Sequence, residues 1–311
     1  MSFKSGLSIL TGIILALSLT ACGSGGPSSS GISNLGKVGI LLKDSPSDVP
    51  RPPSSDQSTV EDISQIWVTV NKVSLKMEDE KWLTVFEGTQ PHELLSLQDN
   101  YATLLSVTTV PAGNYVEARL EIDPTEGKNC LYIEGDTAAN PLNPCVDEES
   151  QPLDVEVPSD KVDIIFDPPL YIDPESETPE YIVFDLLPAD SIHMTTTGNE
   201  RHILRPVIHT YTMPAFMGEK GWFDMKVEEF EGTVISVSGC GDGDAPDIMI
   251  LSHKYGGGEI SIDITGATIS YEETGEAAAC GSLQIGQEVE LKVSISSEGI
   301  VVAEEVEIEK E

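Results

Sequence analysis

Apolar residues alternate with polar ones along most of the chain, and this period of two constrains the fold more than any other feature. Val289, Leu291, Val293 and Ile295, for example, occupy every second position. Successive side chains of a strand point to opposite faces of a sheet, so the pattern is typical of strands that are packed on one side and wet on the other. Turn residues separate many short segments of this kind, which predicts a sandwich or a barrel.

The predicted strands fall into two groups, and the predicted fold class is therefore all-β: an antiparallel β-sandwich followed by a small OB-like β-barrel. The sandwich domain is expected to span residues 37–213 and the barrel domain residues 228–311, with residues 214–227 as a linker. Roughly five short strands in the second group suit a small barrel. Glu304 interrupts an apolar alternation there, which predicts a β-bulge or a barrel mouth.

Three local predictions concern the sandwich. A bulge is expected at Asn71-Lys72, where the alternation changes phase. Residues 93–107 hold leucines at mixed spacing and are predicted to have some helical character. His202 and His209 are placed on one strand, seven residues apart, and therefore on opposite faces where they cannot share a metal.

The first residues of the chain have the features of an export signal rather than of a fold. Residues 1–21 combine Lys4 with an apolar run from residue 7 to residue 19 and a small residue, Ala21. These are the parts of a signal peptide, and the run is shorter than the roughly 20 residues that a membrane-spanning helix needs. The ending Leu19-Thr20-Ala21-Cys22 resembles the lipobox of bacterial lipoproteins. The alternative is an ordinary signal peptide with a cysteine at its cleavage site.

The lipobox resemblance implies a location. It implies that the signal is cut before Cys22, that Cys22 is acylated with chains such as palmitate, and that the protein's membrane partner is reached through this anchor. Gly23 stands where lipoproteins retained in the inner membrane have Asp, which favours the outer membrane of a Gram-negative cell envelope. Residues 22–36 are rich in Gly and Ser, and we expect the stretch that follows Cys22 to be a flexible tether.

The charge balance restricts the partners. The chain has 17 Lys+Arg against 53 Asp+Glu, a formal net charge of −36. So acidic a surface repels nucleic acid, and the second group of strands lacks the basic, aromatic groove that binds single strands, so we expect no nucleic-acid partner. The charge suits multivalent cations or basic partners. The alternative is a solvated surface that is kept soluble by self-repulsion.

Five cysteines occur, and removing Cys22 leaves two local pairs, Cys130 with Cys145 and Cys240 with Cys280. In an oxidising compartment an even remainder is typical of disulfides. A zinc site is the alternative, but no Cys-x₂-Cys spacing occurs and no histidines cluster near either pair. The sequence therefore predicts two disulfides.

No catalytic motif is present: the chain has neither His-Glu-x-x-His nor Gly-x-Ser-x-Gly, so we expect no enzyme and no cofactor other than a possible Ca²⁺. Asp242, Asp244 and Asp247 are the candidate Ca²⁺ ligands, in a loop that lacks the turn and the final glutamate of an EF-hand. Asp44 and Asp48 form a second acidic turn. The alternative for both is an ordinary turn of a strongly acidic protein.

These observations predict a non-enzymatic, membrane-anchored envelope lipoprotein that displays two β domains for binding or assembly with envelope or extracellular components, such as an envelope protein or a glycan. The alternative is a carbohydrate- or Ca²⁺-binding receptor with a defined ligand site. Exposure of Trp67, Trp82 or Trp222 would support a sugar site. Alternation places Trp67 opposite Ile66 and Val68, which predicts an outward-facing ring.

Two parts of the chain resemble families without a known activity. A series of five segments resembles domain of unknown function 4382: Leu42-Lys43-Asp44-Ser45-Pro46, Ile66-Trp67-Val68-Thr69-Val70, Leu94-Leu95-Ser96-Leu97, Val110-Pro111-Ala112-Gly113-Asn114-Tyr115 and Ile203-Leu204-Arg205-Pro206-Val207-Ile208. This resemblance implies a secreted β-sandwich, often on a lipoprotein tether. The loop after Asp48 and the Cys-closed insertion depart from the pattern. Glu231-Gly232-Thr233-Val234, Leu283–Val289 and Val301–Ile308 resemble domain of unknown function 5666.

Overall fold

The computed structural model describes residues 34–44, 63–133, 137–138, 140–141, 143–146, 152–195, 201–213, 224–241, 246–253 and 259–309. They belong to one compact unit, Asn34–Glu311; a second unit, Met1–Ser33, lies outside the described residues.

Strands make up most of the described residues. In chain order they are β1 (Leu35–Asp44), β2 (Ile63–Met77), β3 (Trp82–Glu87), β4 (Pro91–Glu93), β5 (Tyr101–Pro111), β6 (Gly113–Ile122), β7 (Cys130–Ile133), β8 (Leu153–Glu156), β9 (Lys161–Ile172), β10 (Glu180–Leu186), β11 (Ile192–Thr195), β12 (Arg201–Leu204), β13 (Ile208–Thr212), β14 (Asp224–Ser238), β15 (Ile248–His253), β16 (Glu259–Asp263), β17 (Thr268–Tyr271), β18 (Glu288–Ser296) and β19 (Val301–Ile308). A short helix, α1 (Pro188–Ser191), and 3₁₀ turns at Leu95–Leu97 and Cys280–Ser282 interrupt them. The predicted all-β class is confirmed.

The strands form two sheets. One has the order β13-β10-β1-β5-β14-β15-β16-β19-β17, with β18 pairing both β14 and β19. The other has the order β11-β12-β8-β7-β2-β6-β9, with β3 and β4 pairing β2. The β1, β5 and β10 part of the first sheet packs on the second sheet around a core that includes Val38, Ile40, Val68, Leu120 and Phe184. This is the predicted sandwich.

Not every ladder is antiparallel, in contrast to the predicted sandwich. β1 pairs in parallel with β10, and β14 pairs in parallel with β5. Parallel neighbours need a long crossover between them. The chain between β1 and β10 supplies one, because it contributes most of the second sheet before it returns.

The last part of the chain closes into a five-stranded barrel. β14 pairs β15, β15 pairs β16, β16 pairs β19, and β18 joins β19 back to β14. Lys292 pairs with Glu305 and Val293 with Ala303, which leaves Glu304 as the extra residue of a bulge. The predicted OB-like barrel and the bulge at Glu304 are both present.

The barrel core continues onto the outer face of the sandwich sheet. Leu41, Tyr181 and Val183 belong to the same apolar cluster as Phe230 and Val289 of the barrel. The side chains of β1 that alternate with Leu41 point into the sandwich core instead. The sheet formed by β1, β5 and β10 is therefore covered on both faces. The division into two domains stays a prediction, and β14 begins at Asp224, inside the range expected to be a linker.

Of the local predictions, the one for residues 93–107 holds only in part and the one for the two histidines was wrong. Residues 93–107 hold only the 3₁₀ turn before the long strand β5. Because β5 is buried on both faces, it carries Leu104 and Leu105 next to each other, which gives a spacing that resembles a helix. His202 and His209 lie on separate strands of different sheets, because Pro206 between them lacks the N–H that a continuous ladder needs. The bulge at Asn71 is confirmed, since Val70 pairs with Ile122 and Lys72 with Glu121.

Candidate functional site

Several predicted site residues lie outside the described residues: Cys22, Asp48, Trp222, Asp242 and Asp244. Asp247 is described, and its backbone N–H donates to Thr265 Oγ1 at 2.9 Å. Within the described ranges no group of three or more His, Cys, Asp or Glu side chains could hold a metal ion. The Ca²⁺ loop therefore stays a prediction.

Both predicted disulfides are present. Cys130 and Cys145 are joined with their Cα atoms 5.5 Å apart, and Cys240 and Cys280 with theirs 5.4 Å apart. The first closes the insertion that follows β7. The second joins the loop after β14 to the 3₁₀ turn before β18.

Each disulfide is expected to stabilise the fold by an amount that grows with the logarithm of the number of residues in the loop that it closes. The sequence separations are 15 and 40 residues. In the chain-entropy model, replacing both cysteines of a pair by Ser costs about 3 kcal/mol for Cys130–Cys145 and about 4 kcal/mol for Cys240–Cys280. Urea unfolding of the two double variants measures these costs. A Cys240→Ser/Cys280→Ser protein as stable as the parent would contradict the expectation.

A cleft of about 450 Å³ opens at one end of the sandwich, and we call it the interlayer cleft. Its wall comes from β2, β4 and β5, from the Cys-closed insertion and from Glu231 of β14. Aromatic rings line it at Trp67, Phe86 and Tyr101. Its neutral polar side chains are Gln65, Gln90, His92, Ser96 and Thr103.

Strand geometry explains why these side chains meet. Thr103 is the direct partner of Leu42, which points into the sandwich core, and Tyr101 shares that face of β5 by alternation. On the opposite sheet His92 is the partner of Val68, another residue of the same core. The cleft therefore lies at the edge of the sandwich, beside the short strand β4. Tyr101, Thr103 and His92 reach it from the inner faces of the two sheets, and Trp67 reaches it from the outer face of β2.

Glu93 shapes the wall of the cleft. Its Oε1 accepts hydrogen bonds from the N–H of Ile66 at 2.9 Å and of Leu95 at 3.1 Å, and its Oε2 accepts from Ser96 N–H at 2.7 Å. Burial raises the pKa of the carboxyl, and these hydrogen bonds oppose the rise. Glu93 thus fastens the 3₁₀ turn to β2, and we assign it a structural role.

His92 is a neutral imidazole at physiological pH. Burial lowers its pKa from 6.5 to about 4, because no nearby group compensates for the desolvation of the charged ring. Its Nε2 is buried and has no hydrogen-bond partner among the described residues. A buried polar atom of this kind is costly unless something supplies the missing bond.

The prediction that Trp67 faces outward into solvent was wrong. Its side chain is only 7% exposed and packs against Cys130 and Tyr132. Its Nε1–H donates to Gln65 Oε1 at 3.2 Å, and the same oxygen accepts Ala138 N–H at 2.8 Å. The Cys-closed insertion covers the outer face of β2 here. Alternation therefore predicted correctly on which face of β2 Trp67 lies, but it did not predict that this face is buried.

Trp82 is half-buried on the outer face of the second sheet. The guanidinium carbon of Arg119 lies 4.4 Å from the centroid of its ring, and Arg119 also pairs with Asp163. Cation–π contact of this kind holds the arginine over the indole face. That face is therefore not free for stacking on a sugar.

Asp44, predicted to form an acidic turn with Asp48, is buried. Its Oδ2 accepts from Gln98 Nε2 at 3.0 Å, and its Oδ1 has no partner among the described residues. Burial, with a smaller contribution from nearby Asp185, raises its pKa from 3.8 to about 7. The neighbouring Lys43 Nζ donates to the carbonyls of Asp44, Leu97 and Asp99. Lys43 and Asp44 thus fasten the end of β1 to the segment around the 3₁₀ turn, and the second acidic turn stays a prediction because Asp48 lies outside the described residues.

A second cleft, of about 400 Å³, lies at the end of the barrel. Its walls are mostly exposed side chains, including Tyr271, Ile285 and the carboxylates of Glu273 and Glu276.

Within the described residues no helix is long and apolar enough to span a membrane.

Sequence reasoning did not find the interlayer cleft, because its walls come from segments far apart in the chain. Two signals pointed near it: the Leu94-Leu95-Ser96-Leu97 segment, which forms the turn at its rim, and the insertion closed by Cys130 and Cys145. Neither signal shows which residues of the other segments line the cleft with them.

Comparisons with known proteins give one result. No curated protein and no solved structure matches the chain. The family model described as Domain of unknown function (DUF4382) matches residues 36–206, from β1 to the end of β12, which is more than half of the chain. The chain therefore belongs to the DUF4382 family.

Proposed function

We propose that this protein is a non-enzymatic lipoprotein, anchored in the outer membrane through acylated Cys22, that displays its sandwich and barrel for binding or assembly with envelope or extracellular components. The observation that carries the proposal is the use of the cysteines. Four of the five form two disulfides, and the fifth is Cys22, directly behind a signal-like segment. Disulfides persist in exported proteins, and an unpaired cysteine at this position suits acylation.

The surface supports a role in binding. Edge strand β9 exposes Ile165 at 78% and Tyr171 at 58%. Its ladder partner among the described strands is β6 alone. Exposed edges and loops of β proteins are frequent contact surfaces for other proteins. The barrel, through its resemblance to domain of unknown function 5666, is proposed as a second displayed module.

A second candidate, a glycan receptor, is favoured by the interlayer cleft and not by the tryptophans first considered. Trp67 is buried, and Arg119 covers Trp82. The cleft instead combines aromatic walls with neutral polar groups. A concave site of this size and mixed lining is the usual form of a small-molecule site.

The anchor is tested by expressing the full chain in a Gram-negative host with a palmitate analogue that can be tagged. We expect the parent protein to incorporate the label, to begin at Cys22 by intact mass and to fractionate with the outer membrane. The Cys22→Ser variant is expected to lose both label and membrane association, because two or more acyl chains are what holds such a protein. Ser24→Ala, two residues away, serves as the matched control.

Two results would overturn the proposal. One is a mature parent protein that keeps residues 1–21, and the other is a Cys22→Ser variant that remains labelled and membrane-bound. Neither result depends on what the displayed domains bind.

A further inference from the structure

The interlayer cleft contains polar side chains that nothing in the described protein uses. Gln90, Tyr101 and Thr103 line it, and none of them has a side-chain hydrogen bond to another described residue. His92 Nε2 is buried without a partner in the same place. A buried polar atom is normally paired, so His92 Nε2 indicates a partner that comes from outside the fold, and the half-buried polar side chains beside it are accessible to the same partner.

These groups share one chemical property. An amide, a phenol, an alcohol and a neutral imidazole are all uncharged, and each can both donate and accept a hydrogen bond. Hydroxyl groups of a ligand do the same. The hydroxyl groups of a ligand can therefore pair with these side chains without bringing a charged group into the cleft.

Charge and polarity argue against anionic and wholly apolar ligands. Among the described residues that line the cleft there is no lysine or arginine, so a carboxylate or phosphate would be desolvated there without a counter-ion. Glu93, one of the two carboxylates among the described lining residues, already accepts three backbone N–H groups. A wholly apolar ligand would leave the polar groups unpaired, at a cost for each of them.

The apolar part of the lining suits a ring. Phe86 and Leu105 belong to the sandwich core and also line the cleft, and Tyr101 adds a further aromatic ring to its lining. Sugar rings have apolar C–H faces between their hydroxyl groups, so they can pack on such surfaces while their edges bond to amides and hydroxyls. The volume of about 450 Å³ lies within the range of small-molecule sites, roughly 300–1,000 Å³.

We propose that the interlayer cleft binds an uncharged oligosaccharide, with Gln90 and Thr103 hydrogen-bonding its hydroxyl groups and Tyr101 packing against a sugar ring. The inference deepens the glycan-receptor candidate and does not depend on the lipid anchor. Ala138 and Pro141, which lie between the cysteines of the Cys130–Cys145 disulfide, line the proposed binding site.

The test is calorimetry on the full chain in detergent, titrated with three sets of probes. The uncharged set contains malto-, cello-, manno- and chito-hexaose; the acidic set contains oligogalacturonate and alginate hexamers; the cationic probe is spermidine. We expect at least one uncharged hexaose to bind with a Kd of about 1 mM or tighter, and the acidic set and spermidine to give no heat.

Variants locate the site. Gln90→Ala and Thr103→Val are each expected to weaken binding about five- to tenfold, the usual effect of losing one neutral hydrogen bond. The matched controls are Gln284→Ala in the cleft of the barrel and Thr84→Val on the exposed face of β3, and both should bind like the parent. Thermal melts confirm that each variant is folded.

The proposal is overturned if no uncharged hexaose binds at about 10 mM, if only acidic probes or spermidine bind, or if Gln90→Ala and Thr103→Val leave the affinity unchanged. A protein that binds no sugar but is labelled at Cys22 would reject this site and leave the proposed anchor intact.

Discussion

A chain that ends at Met213 is expected not to hold the native sandwich. Deleting residues 214–311 uncovers the outer face of the sheet formed by β1, β5 and β10, where Leu41, Leu104, Val107, Tyr181 and Val183 are each at most 5% exposed. Exposing a buried side chain of this size costs about 1.5–3 kcal/mol, so the five together cost about 10 kcal/mol. The total stability of a typical protein is only about 5–15 kcal/mol.

The measurement compares urea unfolding of the full chain with that of the truncated chain, by circular dichroism. The full chain should unfold in one cooperative transition, and the truncated chain should show none or should aggregate. A chain that begins at Asn34 is the control, since that truncation leaves both clusters intact and should unfold like the parent. Cooperative unfolding of residues 34–213 at the parent midpoint would contradict the shared core and support two separate domains.

The parent protein is expected to lose stability as the pH rises from about 4 to about 7, because Asp44 must then ionise in the folded state. The Asp44→Asn variant is expected not to show this loss. The folded protein raises the pKa of this carboxyl from 3.8 to about 7, so the folded state binds a proton in this range that the unfolded state has released. The contribution of this group to the free energy of unfolding is therefore fully present below pH 3.8 and is lost as the pH rises through about 7. At pH 8 the cost is at most about 4 kcal/mol.

Urea unfolding at pH 5 and pH 8 measures this effect. Asp44→Asn should be more stable than the parent at pH 8, and the difference should shrink at pH 5, because Asn imitates the protonated acid and keeps a partner for Gln98. Asp190→Asn, at an exposed position of α1, controls for the change in net charge. A parent protein that gains stability from pH 5 to pH 8 relative to Asp44→Asn would show that Asp44 is stabilised as the carboxylate, contrary to our assignment.

Much of the fold could be predicted from local pattern, because one face of most strands is wet. β18 shows this well: Val289, Leu291, Val293 and Ile295 are buried and the residues between them are not. Glu304 broke the alternation of the last strand and marks a real bulge. The cysteine pairs followed from proximity in the chain, since each closes a loop of modest length.

The failures occur where both faces of a strand are covered. Trp67 lies on the face that alternation assigns to solvent, but the Cys-closed insertion packs over it. Leu104 and Leu105 lie side by side because β5 separates two cores, which alternation cannot reveal. The interlayer cleft could not be predicted for a related reason. His92 and Thr103 line it from strands of different sheets, and the spacing of residues within a strand does not show which strands of another sheet lie near it.

The position of β1 has a consequence for the rate of folding. β1 is the first described strand, yet it pairs with β5 on one side and with β10 on the other, where Val38 meets Glu180. Such distant pairings require the closure of long loops, and the entropy of this closure is lost before the stabilising contacts form. Proteins dominated by distant pairings therefore fold slowly. The first described strand is thus expected to be among the last to complete its pairing.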